Sequence, residues 1–292
     1  MFSLLASVLI AQSTPPKPEP EVLTIPQEIR PLPGALDQTL VFNSNSPEVV
    51  QTEGILLSTF PKADKTTPAA HLDHTFNGRF DLFAHHIAKA LSPEDLRTLY
   101  LGVIVHNPSD RPVRLDVLQS ASYLSQPDAP FLKLDPILDN ATGEIYAGPG
   151  DRATNDVLRG KRQESWPVTL TIAPNSSQML LNIPIPVSEL EPPINGRSTL
   201  ARLRSNGPVH MASLAMFAKT EGSAERAPNL REWQNLLESG DFAGPRDKAP
   251  TPPGETGSFR YGRVAGVAKG SVWNANIYEA DTGDYTLRIP NL

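Results

Sequence analysis

This sequence predicts a mainly β protein, an antiparallel and sandwich-like fold with one or two short helices, and three observations carry that reading. Proline supplies 30 of the 292 residues, roughly double its usual share. It fixes φ and removes a backbone donor, which disfavours long helices and suits short strands joined by turns. Several runs alternate apolar and polar residues with period two, and clusters of Asn, Ser, Pro and Gly stand between them.

Taken in order, Leu40 to Phe42 and Gly54 to Phe60 read as strands around the turn Asn43-Ser44-Asn45-Ser46-Pro47-Glu48. Ser92-Pro93-Glu94-Asp95 has the features of a helix start, with a Ser cap, Pro at the first helical position and acids at the positive dipole end. That helix is brief, because Leu101 to Val105 already reads as buried strand. Two hairpins are predicted next. In the first, Asn107-Pro108-Ser109-Asp110 turns the chain into Val113, Leu115 and Val117, which alternate with Arg114 and Asp116. In the second, Val168, Leu170 and Ile172 lead through Pro174-Asn175-Ser176-Ser177 into Met179 to Ile183. Residues 120–165 read as loop, punctuated by Gly143, Gly148, Pro149, Gly150 and Gly160. Val209 to Phe217 and Tyr285 to Ile289 are further strands. The one strong helix is Leu230 to Ser239, capped by Asn229, with Leu230, Trp233, Leu236 and Leu237 on one stripe and Gly240 as a left-handed stop. It is expected to lie across a sheet. Asp241 to Gly257 returns to Pro and Gly as a linker or long loop.

At this length the β-rich region, residues 35–292, is one large domain or two with a boundary near 188–200. Ahead of it, residues 1–11 read as a signal-peptide-like segment, since Leu4 to Ala11 is an apolar run too short to span a bilayer. Residues 12–34 follow as a proline-rich linker. The leading Met1-Phe2-Ser3 carries no cation, which points to a translation start further upstream. These features predict export to the periplasm, the cell surface or the medium, with no transmembrane helix.

Composition excludes several chemistries. There is no cysteine, hence no disulfide, thiolate metal site, Cys nucleophile or thiol-linked lipid anchor. A net charge of −6 without a basic stripe removes the counterion-release drive toward nucleic acid. Four of six histidines fall close together, and His71, His74, His85 and His86 are the candidate metal ligands. Their spacing matches no zinc signature: His71-Leu72-Asp73-His74 lacks the glutamate of the metalloprotease motif. On a strand, adjacent His85 and His86 point to opposite faces. Arg79 and Asp81 read as a same-face ion pair. Asp139 to Glu144 is an oxygen-rich loop that reads as an Asx turn rather than a calcium site. Gly148 to Arg152 lacks the Gly-Lys ending of a phosphate cradle, and Gly262, Gly266 and Gly270 fit strand bulges better than a helix seam. Trp166, Trp233 and Trp273 are candidate sugar platforms, with Trp233 more simply a helix anchor. No catalytic residue and no cofactor is indicated.

The stretch Val41 to Ser58, the run Gly78-Arg79-Phe80-Asp81-Leu82-Phe83-Ala84-His85-His86, the strand and turn Leu101 to Pro108, and Gly148-Pro149-Gly150-Asp151-Arg152 together resemble a family of uncharacterised exported proteins of cyanobacteria. The likeness spans nearly everything after the linker. It implies export and carries no catalytic residue over. The expectation is a non-catalytic envelope or surface protein that contacts protein or polysaccharide. The alternatives are a histidine-dependent metal hydrolase and a carbohydrate-binding module.

Overall fold

A computed structural model of the chain describes residues 38–135, 138–222, 224–252, 260, 263–269, 273–279 and 283–289, with Lys269 and the last two stretches as backbone alone. The signal-like segment, the linker, Gly262, Gly270 and the Trp273 side chain lie outside the described residues.

The protein is mainly β with two α-helices. In chain order the elements are β1 (Leu40–Ser44), β2 (Val49–Val50), β3 (Gly54–Ser58), a 3-10 turn (Pro68–Ala70), β4 (Phe76–Lys89), β5 (Leu99–Asn107), β6 (Val113–Leu124) and α1 (Pro149–Leu158). After these come β7 (Thr169–Ile172), β8 (Ser176–Ile185), β9 (Ile194–Phe217), β10 (Lys219–Glu221), β11 (Ala224–Arg226), α2 (Leu230–Ser239), β12 (Ala265–Lys269), β13 (Trp273–Glu279) and β14 (Gly283–Ile289). Ten strands join in one sheet, while β10–β11 and β13–β14 form separate two-stranded ribbons.

The large sheet is mixed rather than wholly antiparallel, because β1 and β2 run parallel to β4. Its organiser is the 24-residue β9. Up to Ser205 this strand lies between β4 and β6. From His210 onward it lies between β5 and β3. The partners change across Asn206-Gly207-Pro208-Val209. A side chain at Gly207 would come within 2.7 Å of Val113 Cγ2, and Pro208 has no N–H to give a ladder. Both groups of strands feed one interior: Phe42, Phe80, Leu82, Leu115 and Leu203 from the first meet Val103, Val105, Leu181 and Met211 from the second. The described residues group as one unit, and β9 starts inside the 188–200 stretch and continues through it.

Both predicted hairpins prove to be crossings. β5 pairs with β8 and β9, whereas β6 pairs with β7 and β9. Thus Asn107-Pro108-Ser109-Asp110 and Pro174-Asn175 each carry the chain from one group of strands to the other. The two turns touch: Asn175 N donates to Ser109 O at 3.1 Å. Asn107, fully buried, shares its amide hydrogens among the carbonyls of Arg111, Ile172 and Ala173, and its Oδ1 accepts from Ser109 N and Oγ. One side chain therefore satisfies backbone groups of both corners, as buried peptide groups require.

Helix α2 occupies its predicted span. Asn229 Oδ1 accepts from Glu232 N, and the Glu232 carboxylate accepts from Asn229 N, a complete capping box. Trp233 is fully buried and lies flat over Gly102, where a Cβ would sit 2.7 Å from the indole. The stop differs from expectation: Gly240 is extended, at φ −79°. Glycine is needed there because a Cβ would collide with Leu236 O. Three other expectations are corrected. Ser92 to Asp95 is only a turn, since β5 claims Leu99 onward. Within the predicted loop 120–165, β6 continues to Leu124 and α1 forms after Gly148. Helix α1 opens with Pro149 at its first turn and packs Ala153 and Val157 on Ala121.

Candidate functional site

Strand alternation sorts the histidines into three places. On β4 the two adjacent histidines take opposite faces as predicted, His86 inward at 1% exposure and His85 outward. His86 Nδ1 must carry a hydrogen, because its partner at 2.8 Å is the Pro47 carbonyl; Nε2 faces Ser44 Oγ at 2.9 Å. Burial holds this imidazole down to about 4 despite the Pro47 bond that works the other way. His85 Nδ1 meets Ser198 Oγ at 2.8 Å, and its Nε2 is 3.5 Å from Glu48, which also pairs with Arg263 at 2.5 Å. Burial likewise lowers His85, against the pull of Glu48.

His71 lies on the other side of β3. Leu57 is paired with Ser213, whose hydroxyl is 3.0 Å from Ser44 Oγ in the interior. Ser58 therefore faces the opposite way, and its hydroxyl is 2.8 Å from His71 Nδ1. Burial, helped by Lys65, lowers His71 to about 4. The four nominated histidines are thus not brought together. Among the described residues no group of three or more His, Asp or Glu side chains is placed to hold a metal ion. His71 Nε2 and His74 Nε2 are buried without a hydrogen-bond partner among those residues.

The structure instead joins His106 and His210, which stand opposite each other on β5 and β9. Their rings are nearly parallel with centroids 6.4 Å apart, and Phe60 tilts toward both at 5.5 and 5.8 Å. His210 Nδ1 donates to Thr59 O and His74 O at 3.0 and 2.9 Å. His106 Nδ1 lies 3.0 Å from Ser177 Oγ, and burial, then His210 and Lys65, push its imidazole below the ordinary range. Four of the six histidines thus meet a serine hydroxyl, a pattern of cross-strand ties between uncharged groups.

This trio floors an open cleft of about 700 Å³ between α2 and the two corner turns. Gln234 and Glu238 come from α2, Asn175, Ser176 and Ser177 from the second corner, and Asp64 and Lys65 from the loop after β3. Asp64 and Asn175 both have left-handed backbones, at φ 59° and 47°. Asp and Asn tolerate that conformation best among residues with a side chain.

The remaining candidates have structural places. Arg79 pairs with Asp81 on the outer face of β4. Asn140 clasps Ile145 through both its N–H and carbonyl, and Arg159 fills the carbonyls of Asn140 and Ala141, so the 139–144 loop is an Asx-type turn. Trp166 and Trp233 are core residues at 5% and 0% exposure, with no ring face offered to solvent.

The family described as "Protein of unknown function (DUF3370)" matches residues 27–292. The chain belongs to this family. The match spans every described element. No curated protein and no solved structure matches the chain. Among the described residues no helix is long and apolar enough to cross a membrane.

Proposed function

We propose that this DUF3370 member is a non-catalytic protein of the cell envelope or surface that binds polysaccharide in the cleft over Phe60, His106 and His210. The observation that carries the reading is the lining. A cavity of about 700 Å³ lies within the range of small-ligand sites. Its walls combine amides, hydroxyls and imidazoles, which donate and accept, with the charged Asp64, Lys65 and Glu238 and the apolar Pro61 and Leu237, over the largely buried Phe60. Such a lining suits a chain of hydroxyls with apolar ring faces, since every hydroxyl needs a partner when it leaves water. The ties of His106 to Ser177 and of His210 to two carbonyls hold the floor in one shape before a ligand arrives. Export rests on the apolar start and the proline-rich stretch read from the sequence.

Affinity electrophoresis through gels cast with envelope polysaccharide tests the reading. Retardation of the purified chain is expected, with Gln234→Ala, whose half-buried amide lines the cleft, at least about tenfold weaker. Unretarded migration of the intact protein refutes it. Recovery of an uncleaved form from the cytosol of the native cell would end the export part.

A further inference from the structure

A second cavity, of about 330 Å³, opens on the outer face of β6 between α1, the strap 161–163 and the loop before α1. The strap is fixed to β6, because Ser120 N donates to Lys161 O, Gln163 N donates to Ser120 O, and the Gln163 amide bonds both Ser122 N and Ser122 O. The rim loop is fixed by the Asn140 clasp and by Arg159. This is a built hollow rather than a gap between mobile side chains.

Its charge differs from that of the protein as a whole, which carries −6. Arg152, Lys161 and Arg162 line it together with Asp156 and Glu144. Asp156 is committed: Oδ2 accepts the Tyr123 hydroxyl at 2.6 Å and Oδ1 accepts Lys161 Nζ at 2.7 Å. Burial opposes its ionisation, yet Lys161 and Tyr123 outweigh that and leave the carboxyl below its usual range. Glu144 is exposed and takes only the Thr142 hydroxyl. Arg152 lies over two rings, 4.0 Å from the Tyr123 centroid and 4.8 Å from that of Tyr146, with Nη1 donating to Asp128 O. It has no carboxylate partner among the described residues, and Arg162 has no hydrogen bond or ion pair among them. Arg152, stacked on tyrosine and in the field of Asp156, and Arg162, whose side chain has no partner among the described residues, thus both face the hollow.

We propose that this cavity binds an anionic sugar unit, a pyranose carrying a carboxylate or sulfate group. Guanidinium groups match such oxyanions in a two-point fork, and the tyrosine ring edges beside Arg152 add mixed polar and apolar contact for the sugar. The volume lies at the lower end of small-molecule sites and exceeds what a bare inorganic anion fills. The inference extends the polysaccharide reading to acidic polymers but uses a separate site, so each can fail without the other.

The test is calorimetric titration of the full chain with oligoglucuronate, a neutral glucan oligosaccharide of equal length, and sodium sulfate alone. Oligoglucuronate is expected to bind, more weakly as salt rises, with Arg162→Ala at least about tenfold weaker. Arg162 is exposed and makes no ties, so its replacement leaves folding intact. Absence of oligoglucuronate binding overturns the proposal, as does binding unaffected by Arg162→Ala. Sulfate binding as tight as the sugar overturns it in favour of a free-anion site. Neutral glucan binding as tight as that of oligoglucuronate and equally weakened by Arg162→Ala overturns the requirement for a charged sugar.

Discussion

Lowering the pH should destabilise this protein through His86, and the size of the effect follows from its surroundings. The imidazole is 1% exposed, with Nδ1 on the Pro47 carbonyl and Nε2 toward the Ser44 hydroxyl. A second proton would place a charge in the interior, away from water. Its folded value of about 4 stands below the ordinary 6.5. Between those two values the unfolded chain binds a proton that the folded chain refuses. Stability is therefore full above about pH 6.5, falls as pH drops, and levels off near pH 4. A shift from 6.5 to 4 corresponds to about 3 kcal/mol in total at 1.36 kcal/mol per unit. Urea unfolding followed by tryptophan fluorescence at about pH 7.5 and about pH 4.5 measures it. His86→Gln keeps a donor for Pro47 and an acceptor for Ser44 but cannot titrate. The variant should lose about 2 to 3 kcal/mol less than wild type between the two pH values. Parallel pH profiles for the two proteins would refute the reasoning.

Two further perturbations probe the scaffold. Trp233→Ala removes a fully buried indole and should cost about 3 to 5 kcal/mol in urea unfolding. Gly102→Ala should also destabilise, since its methyl would meet the same ring at 2.7 Å. Asn107→Ala strips three carbonyls and one N–H of a partner at the paired corners. It should lower stability by about 2 kcal/mol and speed amide hydrogen exchange at Asn175 and Ser176 beside the cleft, whereas unchanged exchange there would contradict the corner-tying role.

Local grammar was read well where one element satisfies itself. Helix α2 announces its cap at Asn229, its stripe at Trp233 and Leu237, and its end, although Gly240 serves through close approach rather than a left-handed turn. The alternation of β4 placed Arg79 with Asp81 and separated His85 from His86. Partner choice was not legible. A turn such as Asn107 to Asp110 specifies that the chain reverses, not whether the next strand pairs beside it or crosses to another group. Helix α1 escaped notice because Ala153 and Val157 are its only buried apolar side chains after Pro149, too few for a visible period. The cleft is hidden in the sequence for a related reason. Closeness in sequence drew attention to His71, His74, His85 and His86, while β-sheet register joined His106 to His210 across more than a hundred residues. The available signal was that both sit one place in two from buried apolar residues, His106 after Ile104 and His210 before Ala212.

Because β9 serves as the spine for both groups of strands, the large sheet has no seam among the described residues at which it could be divided. A nick at Gly207 would leave each fragment short of its innermost neighbour, with a row of amides and carbonyls facing nothing. Loss of order on one side therefore propagates to the other, and limited proteolysis should leave either the whole β core or none of it.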